Sequence, residues 1–378
     1  MISGRRPTSP PPKQRHGRER PSALIAAAIL AVLSSFALGY KLDWSKAASS
    51  RVEAPAVEAH SPVAAPAGGL AMPGSAEASA NSEFSSGLMT PEKWREMTEG
   101  LYQMAKRYPS PVAIYLQDLK SGAVWAYHPD EAFRAASLIK LPLMAAVFCK
   151  IQDGGLSLDQ RLVLTRENRT GGSGTLKWSP DGTSFTVRDL LIHLISESDN
   201  TAAEMLLNAV GVGYAQQKFR EMGLVHTCIH RAGMSLRSGR ITDDNYTTAR
   251  EMNMLLTKIY RGELVSPEAS RMMLDILRYK KDYVSRLAKG LPWGWVIAHK
   301  TGLERRACHD SAIFFTPYGD YTLTVLTGQN RSYHRAKNFI TRLGHLTFAY
   351  YGGRLLRWRR NYYAKALRRG AAAGDEVR

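Results

Sequence analysis

The sequence predicts an α+β fold, because strand-like segments lie near both ends of its core-forming part and helix-like segments lie between them. Residues 112–116 and 123–127 form a predicted hairpin around the turn at 118–122. Strand character returns only after a long helical middle. The late strands are predicted at 295–299, 311–315 and 321–327.

The predicted helices are marked by their start and stop signals. The first begins at Thr90-Pro91, with proline at the first helical position. Glycine ends several of the others, as at Gly154 and Gly223. The remaining helices are predicted from Ser137 to about 153, from the cap Thr186 to Ile195, over 201–210 and 214–222, from the cap Thr248 to Tyr260, from Ser266-Pro267 to Leu277, and over 335–351.

The chain has 378 residues and a formal charge of +18, which raises the question of a nucleic-acid partner. The charge is concentrated at the ends, because residues 1–22 carry +5 and residues 351–378 carry +6. The remaining body carries +7. No zinc-finger spacing or basic zipper pattern is present, so no nucleic-acid partner is expected.

The amino-terminal part predicts export from the cytoplasm. A basic leader (1–22) precedes an uncharged apolar run (23–40) that is near the minimum length of a membrane span. We expect an uncleaved signal-anchor, with a cleaved signal peptide at Ala37-Leu38-Gly39 as the alternative. A flexible linker rich in Ala, Pro and Ser (41–89) would then hold a catalytic domain (90–351) outside the cytoplasmic membrane.

The basic tail (352–378) interleaves arginines with aromatic residues. It is predicted either to contact a membrane surface or an anionic polymer, or to be a solvated end.

One short stretch predicts nucleophilic chemistry. Ser137 and Lys140 stand three residues apart at the start of the apolar run 141–148, and residues at this spacing share one face of a helix. Serine needs an adjacent base to act as a nucleophile, and lysine can serve only if burial or a second cation depresses its pKa.

Two further motifs follow in a fixed order. Ser198-Asp199-Asn200 lies 61 residues after Ser137, and Lys300-Thr301-Gly302 lies 102 residues after that. Each pattern occurs once, and the ordered set resembles that of class A β-lactamases and penicillin-binding proteins. The resemblance covers about residues 90–351 and implies one antiparallel sheet, built from both terminal groups of strands, with an inserted all-helical lobe.

The resemblance also implies roles for single residues. Ser137 would attack the substrate, Lys140 would accept its proton, and Ser198 would relay a proton to the leaving nitrogen. Asn200 would hold Lys140 and a substrate amide, whereas Asp199 would fix the local turn. Lys300 and Thr301 on an edge strand would bind the substrate carboxylate. Gly302, which has no side chain, would permit close approach of the ligand to the backbone. The backbone amides of Ser137 and Leu303 would bind the oxyanion.

Several weaker candidates remain open. His309 either reaches the substrate carboxylate from the next strand or is a surface residue. The alternating His226, Cys228 and His230 could be metal ligands, but no fourth ligand with suitable spacing is present, so no metal and no cofactor are expected. Cys149 is predicted to be a core thiol, and a Cys228–Cys308 disulfide is not excluded.

One departure from the resembled family concerns hydrolysis of the acyl-enzyme. Class A enzymes carry a glutamate that activates the deacylating water, in a loop that corresponds here to about residues 231–245. This segment has no acid before Asp243, and Asp244 and Glu251 fall later. Acylation is therefore expected to be intact, whereas deacylation is in doubt.

The sequence predicts a monomeric serine hydrolase that is acylated by β-lactams, by peptides ending in D-Ala-D-Ala, or by both. The alternatives are a D,D-peptidase acting on cell-wall peptides and a protein that binds the ligand without turnover.

Overall fold

A five-stranded antiparallel sheet forms the centre of the computed structural model, which describes residues 89–230, 244–279 and 285–352. The order of its strands is β2-β1-β9-β8-β7, so the early hairpin and the late strands share one sheet and β7 lies at an edge. This confirms the predicted α+β class. The described strands are β1 (Val112–Asp118), β2 (Val124–Tyr127), β3 (Phe133–Arg134), β4 (Arg161–Val163), β5 (Ser184–Thr186), β6 (Tyr246–Thr247), β7 (Val296–Glu304), β8 (Ala307–Phe315) and β9 (Tyr321–Thr327).

Helices cover both faces of this sheet. The first and last described helices pack together on one face, and the helices between them form a lobe on the other. The described helices are α1 (Pro91–Lys106), α2 (Lys140–Gln152), α3 (Val187–Ser196), α4 (Asn200–Val210), α5 (Val212–Glu221), α6 (Ala249–Arg261), α7 (Pro267–Arg278) and α8 (Tyr333–Tyr350).

Strand alternation explains the two apolar cores. Val112, Ile114 and Leu116 of β1 pack with α1 and α8, whereas Ala113 between them belongs to the core of the helical lobe. Successive side chains of a strand point to opposite faces, so a sheet covered on both sides is apolar at almost every position. β9 shows this fully, since all seven of its residues are buried.

The predicted helix starts agree with the structure. Thr90 accepts a hydrogen bond from the Lys93 amide at 3.3 Å, and Thr186 forms a reciprocal capping box with Asp189. Side chains at Thr248 and Ser266 cap α6 and α7 in the same way. Each cap satisfies an amide that the first helical turn leaves unpaired, which is why these signals are readable from local sequence.

The structure differs from the sequence prediction around two motifs. Ser137 does not lie in the apolar helix but in a 3₁₀ turn (Ala136–Ile139) that precedes α2. Strand β7 continues through Glu304, five residues beyond the prediction, because its far end pairs with β8. The short pairs β3–β6 and β4–β5 were not predicted, since two or three residues carry no usable periodicity.

Several predictions fall outside the described residues. These are the basic leader, the apolar run 23–40, most of the linker, the basic tail, and the loop 231–243. No helix among the residues that the structure does describe is both long and apolar enough to cross a membrane.

Candidate active site

Ser137 lies in a strained turn that neighbouring strands hold in place. The residue before it, Ala136, has a φ of 46°, which a residue with a side chain rarely adopts. The Ala135 amide donates to the carbonyl oxygen of Asn245 at 2.7 Å, which anchors the turn to the segment that precedes β6. Ser137 itself is partly exposed, as a nucleophile must be.

Lys140 is the first residue of α2 and is only 2% exposed. Its Nζ donates to the Ser198 carbonyl oxygen and to Asn200 Oδ1 (2.6 Å), and it lies 3.3 Å from Ser198 Oγ. Burial lowers the pKa of Lys140 to about 7, and the nearby Asp199 carboxylate opposes this shift. Of the two causes that the sequence left open, burial and a second cation, burial is the one that lowers this pKa.

The spacing of Ser137 and Lys140 suggested that the amine reaches the Ser137 hydroxyl, but that hydroxyl is not among these hydrogen-bond partners. As a neutral amine, Lys140 can donate its two hydrogens to the Ser198 carbonyl and to Asn200. Its lone pair then remains available to accept a proton from a hydroxyl. Contacts of this kind are often long before a substrate is bound.

Ser198 lies between the two lysines, a position that suits the proton relay implied by the resemblance. Lys300 Nζ donates to Ser198 Oγ at 3.0 Å, so this hydroxyl is within reach of both amines. Ser198 has a φ of 55°, in the left-handed region. Strained backbone at a non-glycine residue persists only where surrounding contacts hold it.

The residues on either side of Ser198 supply these contacts. Asp199 caps α4 by accepting from the Ala202 amide at 2.9 Å, and its other oxygen accepts from the Leu176 amide at 2.9 Å. Asp199 therefore fixes the turn, as predicted. Glu197 accepts from Thr175 Oγ1 at 2.6 Å, and its hydrogen bond with His193 lowers the pKa of Glu197 to about 2.

The loop around residues 171–174, just before a 3₁₀ segment (Leu176–Trp178), forms the rest of this wall. The sequence analysis did not predict it. Asn200 Nδ2 donates to the carbonyl oxygen of Gly171 at 2.8 Å, so the nitrogen of the Asn200 side-chain amide has a partner in this loop. Gly174 has a φ of +95°, and a Cβ there would lie 2.0 Å from Asp199 Oδ2. The glycines of the run 171–174 are the signal that could have identified this close packing.

The third motif lies on the edge strand β7, as the resemblance implied. Lys300 is 1% exposed and also donates to the Thr301 carbonyl oxygen at 2.8 Å. The Leu303 side chain is 42% exposed. At Gly302 a Cβ would lie 3.0 Å from His309 Cδ2 and 3.3 Å from the Ala135 oxygen, so the fold itself leaves little room for a side chain there.

The predictions for His309 were wrong. The side chain is neither at the surface nor directed to a substrate, because it is fully buried beneath Gly302. Its Nδ1 accepts from the Thr327 amide at 3.2 Å, and its Nε2 donates to the Arg134 carbonyl oxygen at 2.8 Å. Burial lowers the pKa of His309 to about 4, so the ring is neutral and holds the chain that leads to Ser137.

The cysteine predictions have mixed outcomes. All three thiols are free, so the open possibility of a Cys228–Cys308 disulfide is not realised. Cys149 is only partly buried, at the edge of the core in which it was predicted. Within the described part of the chain, His226, Cys228 and His230 form no cluster of possible metal ligands.

Sequence reasoning also missed a group of charges beside the Ser137 turn. Arg134 forms an ion pair with the buried Asp244, and its Nε lies 4.0 Å from Glu304 Oε1. Burial raises the pKa of Glu304 to about 7, with Asp244 adding to the shift and Arg134 opposing it. This group joins the end of β7 to the first described residue after the loop 231–243.

The arrangement brings a hydroxyl, a buried amine that is half neutral near pH 7, and a second hydroxyl shared by two lysines into one cleft. A nucleophile, a base and a route for a second proton are the groups that acyl transfer requires.

Comparison with known proteins agrees with this chemistry. The family model described as the beta-lactamase enzyme family matches residues 96–351. A beta-lactamase of Streptomyces albus G is 29% identical over 229 residues, which cover 58% of this chain and 72% of that protein.

Solved structures show the same fold. A beta-lactamase from Sphaerobacter thermophilus superposes with a TM-score of 0.63 and 25% identity, covering 68% of this chain and 97% of its own. A mutant of PBP-A, described as an acyl-enzyme complex with penicillin G, has a TM-score of 0.62 and 27% identity, covering 68% and 96%. With its three ordered motifs converging in one cleft, the chain belongs to the beta-lactamase enzyme family and is a class A β-lactamase-like serine hydrolase.

Proposed function

We propose that this protein opens β-lactams by forming an acyl-enzyme at Ser137, with Lys140 as the base. The observation that carries the proposal is the burial of Lys140 beside Ser198 and Asn200, which leaves its amine half deprotonated near pH 7. The names of the related beta-lactamases, and the penicillin G adduct described for a PBP-A mutant, support β-lactams as the substrate class.

The proposed acylation balances its protons within the cleft. Lys140 Nζ takes the Ser137 hydroxyl proton as Oγ attacks the lactam carbonyl carbon, and the backbone amides of Ser137 and Leu303 hold the oxyanion. As the C–N bond breaks, Ser198 Oγ gives its proton to the leaving nitrogen and is reprotonated from Lys140. Lys300 and Thr301 hold the substrate carboxylate, and Asn200 orients Lys140.

Deacylation is proposed to be slow. The segment 231–242 contains no carboxylate, and Asp244 beyond it is buried in an ion pair with Arg134. A water molecule approaching the ester therefore has no evident base on that side. Loss of a general base typically costs about 10²–10⁴ in rate, or about 3–5 kcal/mol of barrier.

A second candidate activity is a D,D-peptidase that uses the same nucleophile on peptides ending in D-Ala-D-Ala. The missing loop carboxylate favours it, since such an enzyme gains nothing from fast hydrolysis of a β-lactam adduct. Release of D-alanine from such a peptide, measured beside nitrocefin hydrolysis, decides between the two activities. Absence of both, with intact penicillin labelling, would identify a binding protein without turnover.

We further propose that the catalytic domain works outside the cytoplasmic membrane, tethered by the apolar run 23–40 and the linker 41–89. The basic leader before this run and the uncharged composition of the run support the proposal.

The first prediction concerns the nucleophile. A fluorescent penicillin should label the wild-type chain covalently, and Ser137→Ala should abolish labelling because it removes the hydroxyl that is proposed to attack the lactam carbonyl. Lys140→Met, which keeps the side-chain volume and removes the amine, should slow labelling by about 10² or more. Ser157→Ala, at a turn remote from the cleft, is the matched control. Labelling that persists in Ser137→Ala would remove the central assignment.

The second prediction concerns pH. Because the neutral form of Lys140 is the base and burial lowers its pKa to about 7, the labelling rate should rise through pH 7 and level off above it. Asn200→Asp should move this midpoint to higher pH, since a carboxylate beside the ammonium stabilises the charged form. The measurement is the rate of penicillin labelling across about pH 5–9. A rate that is flat through pH 7 would contradict the assignment of the base.

The third prediction concerns the lifetime of the adduct. Intact-protein mass spectrometry should detect a penicilloyl adduct on Ser137 that persists for many turnover times of an efficient β-lactamase. Gly233→Glu, at the position nearest the carboxylate of the resembled family, should shorten its lifetime. Rapid benzylpenicillin turnover without a trapped adduct would defeat this proposal. Loss of such turnover in Asp243→Asn or Asp244→Asn would assign the base to those residues instead.

The fourth prediction concerns topology. A reporter that is active only in the cytoplasm should be inactive when fused after Gly87, because the linker is expected on the outer side. The same reporter fused after Arg20 supplies the positive control. Activity of the Gly87 fusion would overturn the tether and the external location.

A further inference from the structure

The described surface contains a second cleft, formed where the end of α1, the turn between β7 and β8, and the start of α8 meet. Its volume is about 750 Å³. Five arginines line it: Arg107, Arg306, Arg331, Arg335 and Arg342.

The charge of this cleft exceeds what the composition explains. Lys and Arg make up 51 of the 378 residues, which corresponds to about two among its sixteen lining residues, and the cleft has five. No Asp or Glu lines it. None of the five arginines forms an ion pair with a carboxylate among residues 89–230, 244–279 and 285–352. Like charges gathered in a cleft without a counter-ion repel one another, and an anion would relieve that repulsion.

The arginines come from three separate parts of the chain. Arg335 and Arg342 are seven residues apart on one face of α8, and Arg331 lies just before the cap Ser332. Arg107 ends α1. The positive end of the α8 dipole adds to the field, because Ser332 also lines the cleft.

The backbone of Arg306 is held in a left-handed conformation, with a φ of 66°. Its amide donates to Tyr333 Oη at 3.1 Å, and its carbonyl oxygen accepts from the Asn330 amide at 2.9 Å. Asn330, which is only 5% exposed, also accepts from Tyr108 Oη at 2.5 Å. This network orders the turn before any ligand arrives, which lowers the entropic cost of binding.

Below the arginines, the cleft has an aromatic floor. The rings of Tyr108 and Phe339 stack with centroids 4.0 Å apart and planes 20° apart. Both residues line the cleft. An apolar floor under a rim of guanidinium groups fits a ligand that has both a carbon scaffold and several anionic groups.

A second depression, of about 420 Å³, continues from the first and shares Pro111, Arg306 and Gln329 with it. Its lining includes one carboxylate, Glu131, as well as Arg305 and Arg134, and Arg134 lies three residues before Ser137. The two together form a trough that leads from α8 to the edge of the candidate active site, which suits an extended ligand better than a single ion.

We propose that this trough binds a phosphate-bearing ligand, through the guanidinium groups of Arg306, Arg335 and Arg342. A phosphate offers three oxygens in a tetrahedral arrangement, so it can accept from guanidinium groups that approach from several directions at once. The source of the phosphates is either a small soluble oligophosphate or a phosphodiester polymer. The length of the trough favours the polymer.

The fifth prediction tests this site by calorimetry on the full chain with three probes: inorganic tripolyphosphate, a poly(glycerol phosphate) chain, and citrate. At least one phosphate probe should bind more tightly than citrate, and binding should weaken as the salt concentration rises from about 50 to about 200 mM. Tripolyphosphate binding alone would indicate a small soluble source, and tighter binding of the polymer would indicate a polymer. Binding of neither phosphate probe, or citrate binding as tightly, would overturn the proposal.

The matched variants separate the trough from the overall charge. Arg306→Gln with Arg335→Gln and Arg342→Gln should raise the Kd about tenfold or more. Arg166→Gln with Arg220→Gln and Arg261→Gln removes the same charge elsewhere and should leave the Kd within about twofold. Equal losses in the two variants would show charge attraction without a site and would overturn the proposal. Penicillin labelling reports folding in both, and the pair Arg335→Gln and Arg342→Gln replaces the triple variant if that one is unfolded.

Discussion

The burial of one amine is the constraint on which the catalytic cleft depends. Lys140 is 2% exposed, and an ammonium in that position loses most of its hydration. The protein responds by lowering the pKa of the group and by surrounding it with acceptors from Ser198 and Asn200. Its base strength is therefore not a property of the Ser137 motif, because it depends on the helical lobe closing over the amine. Any change that opens the wall around α4 would return Lys140 to its ordinary, fully protonated state.

The backbone is strained on two sides of the cleft, and in both places nearby polar groups hold the strained residue. Ala136 and Ser198 both have positive φ values, and each is held by polar groups that do no chemistry. Asp199 anchors one side through two backbone amides, and neutral His309 anchors the other through the Arg134 carbonyl. These residues are positioning residues. The hydrogen bonds of Asp199 are buried and that of His309 is partly buried, so they hold the strained turns more firmly than exposed contacts would.

The two halves of the proposed reaction depend on different parts of the structure. Acylation uses side chains fixed by the sheet and the lobe. Among them, hydrogen bonds already join Lys140 to Ser198 and Asn200, and Ser198 to Lys300. Deacylation depends on what the segment 231–243 brings to the ester. The first described residue after that segment is Asp244, whose carboxylate forms an ion pair with Arg134. Nearby, burial raises the pKa of Glu304 to about 7. These charges join the end of β7 to the segment that precedes β6, beside the Ser137 turn.

The sequence by itself determined the α+β class, the helix caps at Thr90, Thr186, Thr248 and Ser266, and the order of the three motifs, because caps and motifs are local patterns. The convergence of Ser198 with Lys140 and Lys300 also followed, but only through resemblance to a family. Tertiary structure alone decided the cause of the Lys140 pKa shift, the burial of His309, the close packing of Gly302 against His309, and the gathering of five arginines beside α8. Each of these depends on which residues from distant parts of the chain exclude water from one another, and sequence spacing carries no measure of that.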